Sequence, residues 1–378
     1  MVKPASLYFH IPFCKKKCPY CHFFSYQNNE KAIPSFLLSL KKEWLQKRPL
    51  LKDYEIISIY FGGGTPSLLN PEQIEQILKW IFSSVKLKAP IEITCEMNPE
   101  DVTEELVQQY AQIGINRISL GVQSFLKEDL HFLQRNYTFE KAFNACKMIE
   151  KTISNYSIDL LYDLPYQTEE KLEKTFSFVE KLNNTHLSLY NLVIEPKTPF
   201  FYRKKELALI MPSQEKSKEL LDFSLKKLKE IGFIRYEISA FCKKGLQSIH
   251  NMGYWQGRSF LGYGPSSFSY FENRRFSNVS SLYLYEEKLQ NNLSPQDFEE
   301  TLSITQRQAE LLAIHLRILE GMDIEEFQKE NGIIHSLLLS KIQKLIQKKL
   351  IIKTSTHLKL TEMGALFYDD VAEELIEG

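Results

Sequence analysis

No stretch of this chain approaches the roughly 18 consecutive apolar residues that a helix needs to cross a bilayer. Its opening MVKPASLYFHIPFCK runs into polar and basic residues where a secretory leader would carry an apolar segment and a small-residue cleavage site. Neither sign of charge is in surplus, since Lys+Arg and Asp+Glu both total 47 in 378 residues, so no global field draws the chain to nucleic acid or anionic lipid. Cysteine is sparse: Cys14, Cys18, Cys21, Cys95, Cys146 and Cys242 are the whole set, and half of it lies between residues 14 and 21. That crowding is unlike a secreted disulfide framework and, in a reducing compartment, suggests a metal site. Long repeats and low-complexity tracts are lacking too. These absences describe a cytoplasmic globular protein, and a hydrophobic content of 43% with 25% charged residues fits that class.

Short apolar runs alternate with longer helical patterns over the first 240 residues or so. Strands are expected at Ser6–Ile11, Ile56–Phe61, Ile91–Glu96, Asn116–Gly121, Ser157–Leu161 and Leu187–Val193, each bounded by turn residues. Between them, Asn70-Pro71-Glu72-Gln73 offers an N-cap, a Pro at the first helical position and a Gln at the third. Thr103 and Thr168 each precede two glutamates that suit a helix N-terminus, and Gly114 and Gly232 follow amphipathic runs as helix stops. Strand–helix repetition of this kind builds an α/β fold with parallel strands. Six units are too few to close as eight do, so a partial (β/α)6 barrel over residues 1–280 is expected. Residues 281–378 read differently. Thr305-Gln306-Arg307-Gln308 looks like a capping box opening a helix toward Gly321, and helices follow at Asp323–Glu330 and Ser336–Lys349. A hairpin around Ser355-Thr356 and a last helix after Thr361 complete a mostly helical, winged-helix-like domain.

Cys14-Lys15-Lys16-Lys17-Cys18-Pro19-Tyr20-Cys21 follows the first expected strand as C-x3-C-x2-C. A 4Fe-4S cube usually takes four thiolates; three from one loop hold three irons and leave the fourth open, as a catalytic metal keeps one exchangeable position. Zinc is the other reading, with His22 or His10 supplying a further ligand.

With Tyr8, His10-Ile11-Pro12-Phe13 ahead of the triad and Gly62-Gly63-Gly64-Thr65-Pro66 after the second strand, the chain resembles the radical SAM superfamily. Within it, the chain is most similar to the oxygen-independent coproporphyrinogen III oxidases and their haem-chaperone relatives. The resemblance implies that Cys14, Cys18 and Cys21 hold a 4Fe-4S cluster and that S-adenosylmethionine (SAM) binds its open iron. It assigns to the cofactor site Tyr8, Tyr20, Gly63, Gly64, Thr65, Glu96, Gln123 (in Gly121-Val122-Gln123), Arg135 and Asp159. All fall near strand C-termini, where sheets of this class bind ligands. Leu360-Thr361-Glu362-Met363-Gly364 resembles the C-terminal domain of the same family.

Three features lean toward the chaperones. The oxidases carry a further Cys where this chain has Phe23. They have an extension before the cluster loop, where thirteen residues precede Cys14 here. Finally, His250-Asn251-Met252-Gly253-Tyr254-Trp255 resembles the HNxxYW haem motif of the chaperones. In that reading His250 is the haem iron ligand, and Tyr254 and Trp255 pack on the macrocycle. The implied partners are haem as cargo and haem-acceptor proteins, with peripheral membrane association through the acceptor and a homodimer as further expectations. Nucleic acid is not expected, because the lysines of Ser336–Lys349 are followed by an acidic tail and the chain as a whole is neutral. The alternative is the oxidase activity itself. Asp163-Leu164-Pro165-Tyr166-Gln167-Thr168 departs from the GLPGQT-like segment of the family by replacing two glycines.

Overall fold

The computed structural model describes residues 2–377. Six parallel strands form its centre: β1 (Lys3–Ile11), β2 (Tyr54–Gly63), β3 (Lys86–Met97), β4 (Arg117–Gln123), β5 (Tyr156–Tyr162) and β6 (His186–Asn191). All six expected strands form and lie side by side in chain order. The helices α1 (Ile33–Lys47), α2 (Pro71–Phe82), α3 (Glu104–Gln112), α4 (Lys127–Phe132), α5 (Phe139–Glu150) and α6 (Glu169–Glu180) connect them, and α7 (Gln214–Glu230) follows β6. Local chemistry starts several of these. Asn70 and Gln73 form the reciprocal capping box on α2, and Thr103 and Thr168 cap α3 and α6. Gly114 and Gly232 take φ of 104° and 90° just after α3 and α7, in the left-handed region where a helix stop favours glycine.

The sheet then grows at both edges. β7 (Ile234–Arg235) and β8 (Ala240–Cys242) add antiparallel strands beyond β6. After α8 (Ile249–Trp255), the strand β9 (Ser259–Tyr263) pairs with β1 as a seventh parallel strand. β10 (Phe268–Phe271), β11 (Arg274–Asn278) and, after α9 (Leu282–Gln290), β12 (Gln296–Thr301) extend that edge antiparallel, giving twelve strands in an open barrel-like sheet. Alternation along β1 divides its side chains. Leu7, Phe9 and Ile11 join the apolar core under the helices, whereas Ser6, Tyr8 and His10 make polar contacts on the inner face.

A second core holds the C-terminal region: α10 (Ile304–His315), β13 (Met322–Asp323), α11 (Ile324–Asn331), α12 (Ser336–Gln347), the hairpin β14 (Ile351–Lys353) and β15 (His357–Leu360), α13 (Glu362–Leu366) and α14 (Tyr368–Ile376). The expected helix–helix–hairpin–helix order is present, with three differences. The capping box is Ser303 with Gln306, because Thr305 is already helical, and the helix ends at His315 well short of Gly321. The last helical stretch is split at Phe367. The boundary expected at 280/281 lies inside the first core, since Leu282, Tyr285 and Leu289 pack with the barrel. The second core begins at Ala309. Lys344 and Lys348 both pair with Glu374 of α14, which compensates the basic stripe. Among the described residues no helix is long and apolar enough to cross a membrane.

One buried polar knot ties the β9 edge to α1. Glu43, fully buried, accepts from the backbone N–H of Gly264 (2.8 Å), the Tyr285 hydroxyl (2.6 Å), the Asn278 amide (2.7 Å) and Lys47. Lys47 also donates to the Gly262 carbonyl at 2.9 Å. Removing one partner of such a pair leaves an uncompensated charge. Glu43→Ala is therefore expected to cost about 3–5 kcal/mol, visible as a lowered midpoint in urea unfolding; a change below about 1 kcal/mol would show that the knot is dispensable.

Candidate functional site

The loop after β1 carries the three cysteines at the C-terminal end of the parallel strands. Phe13–Cys14 pairs with Tyr26–Gln27 and so closes the loop on itself. The second strand end packs against it without side chains between. Gly64 N–H donates to the Ile11 carbonyl at 2.8 Å, and a methyl on Gly64 would come within 2.6 Å of the Phe13 carbonyl oxygen. Gly63 lies on the His10 ring with φ of 110°.

Each thiol has a hydrogen-bond donor. Thr65 Oγ1 donates to Cys14 Sγ at 3.6 Å, Arg135 Nη1 to Cys18 Sγ at 3.0 Å, and the Phe23 N–H to Cys21. Burial pushes the Cys21 thiol up to about 11, and Cys18 and Cys14 add to the rise. Asn98 links two of these donors, since its Nδ2 donates to Thr65 Oγ1 at 3.1 Å and its Oδ1 accepts from Arg135 Nη2 at 2.6 Å. Arg135 is anchored further by the Gly121 carbonyl (3.1 Å) and the Tyr137 hydroxyl (3.0 Å). Gln123, at φ of 65°, has its amide nitrogen beside Gly121 as well. Tyr20 lies against Cys18 and Arg135, and burial holds its hydroxyl well above the usual range. Among the described residues no three His, Cys, Asp or Glu side chains converge on one metal ion. A donor set of three thiols on one loop, each receiving a hydrogen bond, suits a multi-iron cluster in which each thiolate takes its own iron. It does not supply the converged tetrahedral set that zinc takes.

Below the loop the inner face is polar and closed. Glu96 accepts from the Tyr60 hydroxyl (2.8 Å) and the Gly63 N–H (3.2 Å), and burial raises its carboxyl to about 7. Tyr8 stacks on Tyr60 at 6.1 Å and shares a hydrogen bond with His10 Nδ1, while His10 Nε2 donates to the Phe24 carbonyl. Asp159 lies apart from the cysteine arc, with its oxygens held by Ser119 (2.9 Å) and Ser157 (3.2 Å). His186, given no role from sequence, is buried between Ser157 and Tyr236. His250 is buried also, 4.8 Å from the Tyr60 ring, with Nδ1 at 3.0 Å from Ser58 Oγ and Nε2 at 2.9 Å from the Tyr254 hydroxyl. Glu92 caps its helix by accepting from the N–H groups of Ile249 and His250. Cys95, Cys146 and Cys242 are buried away from the triad, as expected.

The family comparisons agree with this geometry. Residues 8–179 match the family described as Radical SAM superfamily, and residues 302–367 match the HemN C-terminal domain. A "Heme chaperone HemW" of Lactococcus lactis is 31% identical over 99% of this chain and 98% of its own length. A protein of the same name in Haemophilus influenzae is 33% identical over 98% and 97%. The chain belongs to the HemW family of radical SAM proteins. Coproporphyrinogen III oxidase (HemN) of Escherichia coli superposes with a TM-score of 0.86 over 99% of this chain and 90% of its own, at 22% identity, which shows a shared fold.

Radical SAM membership implies a 4Fe-4S cluster and SAM, and the bound pair supplies reductive cleavage of the sulfonium. This HemW-family chain contributes three thiols with their donors, a side-chain-free strand end and the half-buried Glu96 carboxylate. Sequence reading missed Asn98, Tyr60 and Tyr137, each one more polar residue in a strand or loop until the fold brings it against Arg135, Thr65 or Glu96. At the departures from GLPGQT, Asp163 and Tyr166 keep the backbone that glycine would favour, at φ of 60° and 54°. Asp163 accepts from Ser217 at 2.6 Å.

If Glu96 contacts SAM, as the resemblance implies, its ionisation near pH 7 would govern binding. The carboxylate is the better acceptor, so affinity for SAM is expected to rise up to about eightfold from pH 6 to pH 7.5, and Glu96→Gln to bind weakly with no such slope. Calorimetric titration of the reconstituted protein checks this, and a parallel slope in both proteins would remove Glu96 from the role.

Proposed function

We propose that this chain is a haem chaperone: it binds a 4Fe-4S cluster, SAM and haem, and delivers the haem to acceptor proteins. Cys14, Cys18 and Cys21 hold the cluster, and the arc of Gly63, Gly64, Thr65, Gln123 and Arg135, with Tyr8, Tyr20, Glu96 and Asp159 around it, receives SAM. The observation that carries the reading is the near-complete length over which proteins named heme chaperones align at 31–33% identity. Phe23 supports it, for this side chain is 54% exposed on the cluster loop where an oxidase would present a thiol.

His250 is the proposed iron donor. Burial lowers its pKa to about 3, so the imidazole is neutral at working pH, the state in which it binds metal. Ser58 donates to Ser6 and so accepts from Nδ1–H, leaving the Nε2 lone pair on the Tyr254 hydroxyl. Ligation therefore requires Tyr254 to let go of Nε2. Transfer to acceptors, with membrane association through them, and dimerisation belong to the same reading.

The oxidase alternative rests on the fold shared with coproporphyrinogen III oxidase. Anaerobically reconstituted protein, given SAM and a reductant, is expected to leave coproporphyrinogen III unconverted while binding haem with a Soret shift. Protoporphyrinogen IX formation would make the protein an oxidase. Haem binding that His250→Ala leaves unaltered would move the iron donor elsewhere.

A further inference from the structure

The inner face of the barrel sheet does not stop at β1. Register carries it from Ser6 to Phe260 of β9, on to Tyr270 of β10 and then to Arg275 of β11. Over this extension lies a cavity of about 460 Å³, inside the range of about 300–1,000 Å³ for small-molecule sites. One wall is the sheet, with Phe260, Tyr270 and Phe298; the other is α10, with Leu311 and Ile314, so the two cores face each other across it. Trp255 lines the end, its ring covered by the Arg317 guanidinium at 4.2 Å.

Charge is placed unevenly on these apolar walls. Arg275 is already neutralised by Glu300 and Glu310. Arg258 is not: its guanidinium donates only to neutral oxygens, those of Ile249 (2.9 Å), Ser6 (3.3 Å) and Gln256 (3.2 Å). Glu92 acts on it from beyond contact, and burial lowers its pKa to about 10. It lies flat on α8 because residue 253 is glycine; a methyl there would come within 2.4 Å of Arg258 Nη1. A partly buried cation without a carboxylate beside an aromatic slot is costly unless a ligand brings the anion.

We infer that this cavity is the binding slot for a flat, apolar carboxylate of the porphyrin class, with Arg258 as the anchor for one carboxylate. The inference rests on the haem reading for the identity of the ligand and adds where it sits. Tyr254 touches both places, since its ring lines the slot and its hydroxyl holds His250 Nε2. A macrocycle in the slot therefore approaches the iron donor from the Tyr254 side, between the barrel and the C-terminal domain.

Porphyrin chemistry separates the two claims. The full-length protein is titrated with haem, with metal-free protoporphyrin IX and with its dimethyl ester, following absorbance and Trp quenching. Wild type is expected to prefer the diacid over the diester by about tenfold or more, the scale of a charge-assisted hydrogen bond. Arg258→Gln should lose that preference, Arg258→Lys should keep part of it, and Ile314→Trp, filling the slot from the opposite wall, should weaken both. Equal binding of diacid and diester by the wild type overturns the slot without needing any variant to fold. Haem binding with an undiminished diacid preference in Arg258→Gln does the same, and leaves the chaperone reading standing. Failure of the wild type to bind any porphyrin overturns both.

Discussion

The end of β1 is held between two strand ends that have no side chains where they touch it. On one side Gly63 and Gly64 of the β2 end lie against His10 and the Ile11–Phe13 backbone. On the other, Gly264 follows β9 so closely that a methyl would meet the His10 carbonyl oxygen at 2.5 Å. Any larger residue would push the strands apart. Because the cysteine loop begins where this clamp ends, its position depends on both contacts. The Glu43 knot makes the second contact durable, for it binds the Gly264 N–H and Lys47 binds the Gly262 carbonyl.

From that clamp the site is built by hydrogen bonding onto thiols. Cys14, Thr65, Asn98, Arg135 and Cys18 form one continuous arc drawn from four segments of chain. Arg135 places a permanent cation beside Cys18, where it would temper the charge of a bound cluster. Deeper in, Glu96 and Asp159 are half-buried and His186 and His250 are buried, and each has its own hydroxyl or N–H partners. Burial there keeps the imidazoles neutral and brings Glu96 to the edge of ionisation at physiological pH.

The sheet continues past β1, and this joins the cofactor end to the C-terminal domain. β9 to β12 present an aromatic face that the barrel helices do not cover, and α10 covers it from the second core. Tyr254 and Trp255 stand at the junction, one bonded into the barrel interior and the other stacked under Arg317. The HNxxYW segment is thus a hinge of contacts between two cores, and His250 alone does not describe it.

Much of this was legible in one dimension. Short apolar runs bounded by turn residues marked all six central strands, capping chemistry marked α2, α3 and α6, and cysteine spacing with the glycine triplet marked the cluster loop. Those signals are local: a short apolar run, an N-cap and a loop ligand set are complete within a dozen residues or so. Local signals failed where partners are distant. Nothing near Ser259 announces that β9 will lie parallel to β1, and nothing near residue 280 reveals that Tyr285 belongs to the first core. Asn98 and Tyr60 gain meaning only when strand register sets them against Arg135 and Glu96, and Arg258 only when the fold leaves it without a carboxylate. The sequence by itself determined the strand–helix order and the thiol triad, because spacing along the chain encodes them, and its motifs carried the resemblance that implies the class of cofactor. Tertiary structure alone decided which polar groups meet, which strand closes on β1 and where an apolar slot opens, because those depend on contacts between residues far apart in the chain, such as Ser6 with Arg258, 252 positions away.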